Sequence, residues 1–161
     1  MNAGPQKEHG WLERLVGDWA YEAEAVMAPG QPPVKSQGTE SVRSLGGLWV
    51  VGEGRGECPG GGPAHTMLTV GYDPATKRFV GTWVGSMMAH LWVYDGWLDE
   101  AGGTLTLEAE GPSFVGEGRM AKYRDVTAFE GADHRVLTSH VQGDDGRWTR
   151  FMTAHHRRRR G

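Results

Sequence analysis

The chain has a single cysteine among its 161 residues, so no internal disulfide can form. Cys58 lies in the loop-like stretch Cys58-Pro59-Gly60-Gly61-Gly62-Pro63, with no nearby base to activate it as a nucleophile. Long apolar runs are also missing, and nothing approaches the roughly 20 residues that a membrane-spanning helix needs. Met1–Gly10 is polar and lacks the apolar centre of a signal peptide. A cytoplasmic, soluble protein is therefore expected. The Gly-x-Ser-x-Gly nucleophile elbow, zinc-ribbon cysteine pairs and a dinucleotide fingerprint are absent too. Basic charge is scarce outside one end. Without the four arginines Arg157–Arg160, 13 basic side chains face 20 acidic ones, a net charge of −7. Such a body repels phosphate backbones and anionic membranes, so neither nucleic acid nor a membrane is expected as a partner. The arginine run is expected to be solvated, with about 1–7 and 156–161 frayed.

What is abundant is glycine, at 26 residues, and tryptophan, at 7. Frequent glycine between short apolar runs favours strands and turns over a helical bundle. Trp11, Leu12, Leu15 and Val16 predict a short helix over Gln6–Val16, stopped by Gly17. From Asp18 to Met27 the pattern alternates, with Trp19, Tyr21, Ala23, Ala25 and Met27 on one side. A hairpin is predicted around Gly46-Gly47, joining 39–45 to 48–57. Seven more strands are predicted at 65–72, 78–84, 89–98, 103–110, 119–130, 134–141 and 148–155. Turn signals such as Asp73-Pro74 and Gly143-Asp144-Asp145-Gly146 separate them.

About ten strands at this spacing make an all-β domain, read as one unit over 1–161. Closure into an antiparallel barrel removes the exposed edges that an open meander would keep. A barrel of this size also leaves room for one small ligand.

Certain residues carry a family resemblance. Gly17-Asp18-Trp19 after a short helix looks like the Gly-x-Trp signature of calycins, the lipocalin and fatty-acid-binding superfamily. A longer pattern comprises Gly71-Tyr72-Asp73-Pro74, Lys77-Arg78-Phe79-Val80-Gly81-Thr82-Trp83, Ser86-Met87 and Gly103-Thr104-Leu105-Thr106-Leu107. It resembles the bacterial DUF1579 family from about Glu8 to Thr153. The resemblance implies a lipocalin-like β-barrel and carries no catalytic residues with it. Gly85 stands where the family pattern has an acidic residue before Ser86. By architecture the chain also resembles, more distantly, nitrobindin-type haem barrels. These hold haem through a late histidine, and His155 and His156 occupy that region. No cofactor is predicted, and haem is a minor alternative.

The candidate ligand-binding residues are Trp83, Met87, His90, Trp92, Tyr94, Glu53 and Arg55. His90, Trp92 and Tyr94 would share one strand face, offering stacking rings and polar handles. Glu53, Arg55 and Glu57 alternate with Gly52, Gly54 and Gly56. Charges in such a row are ordinarily solvated, and the glycines opposite would then mark curvature or room for a bound molecule. If the charges face inward, Glu53 with His90 or His140 could form an acid–base pair. The seven histidines show no metal-ligand spacing, and adjacent His155 and His156 must point to opposite faces of a strand. The loop Gly111–Gly118 is a connector or a lid over the barrel mouth. The leading function is binding of a small apolar or aromatic molecule. An isomerase or hydrolase using a histidine–carboxylate pair is the alternative, and a side-chain-filled structural barrel is a third reading. Homodimerisation needs no special motif and is also expected.

Overall fold

The computed structural model describes residues 4–114 and 116–159. One helix, α1 (Lys7–Glu13), precedes ten strands: β1 (Gly17–Ala25), β2 (Val34–Leu45), β3 (Trp49–Glu57), β4 (Pro63–Asp73), β5 (Arg78–Gly85), β6 (Trp92–Leu98), β7 (Thr104–Pro112), β8 (Met120–Gly131), β9 (His134–Gln142) and β10 (Trp148–Arg158). Each strand pairs antiparallel with its sequence neighbours, and β1 pairs with β10, closing the barrel. The ten predicted strands are all present.

Boundaries differ where tertiary pairing overrides local pattern. β2 starts early, because its register with β1 runs back to Ala25↔Val34. β6 starts late, because residues 86–91 form a turn in which Met88 N–H bonds the Gly85 carbonyl. The helix ends at Glu13, and i→i+3 bonds from Leu15 and Val16 carry the chain into β1. At the β2–β3 turn Gly46 and Gly47 both have positive φ, 67° and 75°, as a two-glycine hairpin turn requires.

The expected fraying at the C-terminal end is corrected. His156 is buried, and Arg157 and Arg158 belong to β10, where Trp19 pairs with Arg158. The Arg158 guanidinium lies 4.2 Å from the Trp19 ring centroid. It donates to the carbonyls of Val16 (2.6 Å) and Arg14 (3.0 Å) and pairs with Asp133. At the other terminus α1 begins at Lys7 and is tied down by Gln6, whose N–H bonds His9 Nδ1 at 2.8 Å. Residues 1–3, Val115, Arg160 and Gly161 lie outside the described residues.

The two ends of the barrel are different. Trp11, Leu12 and Leu15 plug one end against Trp19, Val42, Val50, Val70 and Phe79. Trp19 Nε1 donates to the Leu15 carbonyl at 2.8 Å, locking the plug to β1. At the opposite, open end the loops carry exposed Met27, Met87, Met88, Leu91 and Phe114, and β8 begins there with exposed Met120.

Candidate functional site

Strand alternation decides which side chains enter the barrel. From β5 and β6 the inward residues are Trp83 and Trp92, which face each other across the ladder, and Tyr94 one layer deeper. Trp92 stacks edge-on with Tyr123 at 5.0 Å. Tyr123 in turn meets Phe114 at 5.5 Å and Phe151 at 6.0 Å. These rings form an aromatic throat beneath the open end. His90 lies just before β6, not on it; its ring packs against Trp92 at 4.9 Å and its Nε2 bonds the Glu110 carbonyl at 2.9 Å. Met87 sits on the rim over Gly85 and is 41% exposed.

Glu53 and Arg55 are not at this site, and their assignment to it is corrected. On β3 the glycines point inward and the charges outward. Glu53 holds Arg55 and His65, each at 2.9 Å, on the outer wall. His65 and Arg55 hold the Glu53 carboxyl below its ordinary range. His140 is also on the outside, bonded to Thr138 Oγ1. Among the described residues, the histidine–carboxylate contact that does form, Glu53–His65, thus faces solvent.

The inward glycines do not leave the expected room for a ligand. A Cβ on Gly38 or Gly56 would strike the Tyr21 hydroxyl and on Gly54 the Thr66 hydroxyl, and on Gly52 it would crowd the Glu40 carboxylate. These glycines create space for polar side chains from adjacent strands. Sequence reasoning did not foresee this polar layer. Arg135 (β9) donates to Glu40 (β2) at 2.5 Å and lies 4.6 Å from the Trp19 ring centroid, above the apolar plug. His156 (β10) packs against Tyr21 (β1) at 5.4 Å. Burial, then the charge of Arg135, depress the His156 pKa well below 6.5, so the imidazole is neutral.

A second interior cluster stands below the throat. Asp125 (β8) accepts from Ser139 Oγ at 2.6 Å and from the Tyr94 hydroxyl. Burial raises the Asp125 pKa, and the hydroxyl donors of Ser139 and Tyr94 offset only part of that rise. Asp125, Thr127, Leu137 and Leu68 all point inward yet are only half-buried. Accessible surface inside a closed ring of strands is the surface of an internal chamber. Its walls are therefore mixed: aromatic at the throat, hydroxyl and carboxyl lower down, and an ion pair at the floor.

His156 is the inward member of the late histidine pair; His155 is outside, bonded to His134 at 2.9 Å. The surroundings of His156 do not fit a haem. Tyr21 packs against one side of the imidazole and the polar Arg135–Glu40 pair lies beside it, whereas the apolar walls that a haem needs stand higher.

Among solved structures the chain is similar to Rv2717c from M. tuberculosis, with a TM-score of 0.65 and 11% identity, covering 98% of this chain and all of that one. The S-type phycobiliprotein lyase CPES from Guillardia theta gives 0.60 at 13% identity, covering 99% of each chain. EF1p2_mFAP2b bound to DFHBI gives 0.51 at 14% identity, covering 94% of this chain and 99% of that one. Such distant likenesses establish a shared barrel fold. No curated protein matches the sequence. Over residues 4–158 the chain matches the family described as Protein of unknown function (DUF1579), and it belongs to that family.

Proposed function

We propose that the protein binds a small, largely apolar or aromatic molecule that enters through the open end of the barrel. The observation that carries this reading is the difference between the two ends. Six exposed apolar side chains, Met27, Met87, Met88, Leu91, Phe114 and Met120, surround the open end, with the aromatic throat beneath them. Exposed apolar surface grouped in this way marks an interaction site, and methionine adapts to varied ligand shapes. Trp83 and Trp92 would supply stacking area, Tyr94 the inner wall, and His90 a polar group at the rim. Two of the similar barrels support the reading: one is a phycobiliprotein lyase and the other holds DFHBI. The driving force is burial of apolar area, at about 25 cal/mol per Å².

Titration with naphthalene, read by quenching of tryptophan fluorescence, tests this proposal. Saturable binding is expected, and Trp92→Ala should weaken it by about tenfold through lost stacking and burial. Glu53→Gln, on the outer wall, should leave binding unchanged. No saturable binding, or equal loss in both variants, would overturn the reading.

A further inference from the structure

Arg135 and His156 are direct neighbours across the β9–β10 ladder, and both face the chamber. They are 5% and 6% exposed. One terminal nitrogen of Arg135 serves Glu40, but its Nε–H has no acceptor, and the buried His156 Nδ1 has no partner either. Leaving a buried polar atom unmet costs about 1–3 kcal/mol. Native interiors rarely leave two such atoms side by side, so the pair marks a place built to receive a polar group.

Charge selects the group. Glu40 already neutralises Arg135. A ligand carboxylate would therefore place an uncompensated negative charge beside Glu40, with the Asp125 carboxyl in the same interior. Burying an unpaired charge is far more costly than burying a hydrogen-bonded neutral group. The neutral imidazole has one N–H and one bare nitrogen. His156 Nδ1 is the buried ring nitrogen without a partner, and with the proton on Nε2 it is the acceptor. The floor thus offers one donor, Arg135 Nε–H, beside one acceptor on His156. Cross-strand neighbours stand about 4.5–5.5 Å apart at Cβ, close enough for one planar group to meet both side chains.

Resting on the binding function proposed above, we propose that Arg135 and His156 recognise a neutral ligand edge carrying a carbonyl beside an N–H, as in a primary amide or a lactam. The carbonyl oxygen accepts from Arg135 Nε–H, and the ligand N–H donates to His156. The apolar body of the ligand extends upward toward Trp83 and Trp92. No proton is transferred and no bond is made.

The test compares three probes of one shape near neutral pH: 2-naphthamide, 2-naphthoate and naphthalene. The amide is expected to bind the unmodified protein roughly tenfold more tightly than either of the others. Arg135→Lys keeps a charge opposite Glu40 but lacks the Nε–H; His156→Phe keeps a ring against Tyr21 but lacks its nitrogens. Each should bring the amide to within about threefold of naphthalene measured on the same variant. In the unmodified protein the Arg135 Nε–H resonance should shift with the amide and not with naphthalene, a readout that holds even if a variant does not fold. An amide preference kept in both variants, a preference for naphthoate, or an unmoved Nε–H resonance would overturn the assignment while the chamber still binds naphthalene. If none of the three probes binds, the binding function itself fails, and this inference with it.

Discussion

His156 and Asp125 are both titratable groups inside the barrel, but their pKa values move so as to give opposite stability slopes with pH. His156 has a folded-state pKa well below the ordinary 6.5. As pH falls through 6.5 the unfolded chain takes up the proton first, so stability is lost from that point downward. Asp125 has a folded-state pKa raised above 3.8. Its unfavourable effect appears as pH rises from 3.8 through that raised value, because the folded state must then hold a charge inside the barrel. Denaturant unfolding at a series of pH values separates the two. His156→Phe should flatten the loss of stability below pH 6.5, and curves that stay parallel to the unmodified protein would show that His156 does not cause it. These residues were poorly legible in the sequence. Arg135 and Asp125 lie on strands that carry polar side chains on both faces, so alternation could not separate inside from outside. For Glu53 and Arg55 the usual rule was inverted in appearance: the inward positions between them are glycines, with no apolar side chain to mark them. Their place on the outer wall follows from the ladder, in which Gly52 and Gly54 lie beneath Glu40 and Thr66.

Among the elements, β10 departs most from its sequence reading. Taken alone, a run of arginines is a solvated tail, and nothing local says otherwise. Its partners are distant in sequence: Arg158 reaches the carbonyls of Val16 and Arg14 and the ring of Trp19. It therefore ties the last strand to the helix and the first strand, where the barrel closes. Gly17, at φ 136°, leaves room for this guanidinium; a Cβ there would strike Arg158 Nη1. Arg158→Gln is expected to cost about 2–4 kcal/mol by removing charge-assisted bonds and cation–π contact together. Arg157→Gln, at an exposed position, should stay within about 0.5 kcal/mol. Chemical denaturation of the two variants measures the difference, and equal stability would show that β10 does not latch the barrel. The remaining elements were readable, because turn glycines and prolines bound strands whose period is two. The shift of β6 to Trp92 was not, since it depends on the turn over residues 86–91 and on the His90 bond to Glu110.

For the whole molecule, closure removes both sheet edges, and α1 plugs one end with Trp11 and Leu12. No helix among the described residues is long and apolar enough to cross a membrane. The apolar rim, the aromatic throat and the polar floor then lie in order along one axis, from the open end to Trp19. In the proposed binding mode a ligand descends past Trp92 and meets Arg135 and His156 below. The outer wall offers a competing place, a cleft of about 360 Å³ beside β6 and β7, lined by Leu91, Val93, Asp95 and Glu108. The most direct measurement is methyl-resolved NMR during titration with 2-naphthamide. Contacts from the ligand to Leu68, Leu137 and Met152, which face the interior, are the expected result. Contacts confined to Val93, on the outer face of β6, would place the ligand outside the barrel and overturn the proposed binding mode.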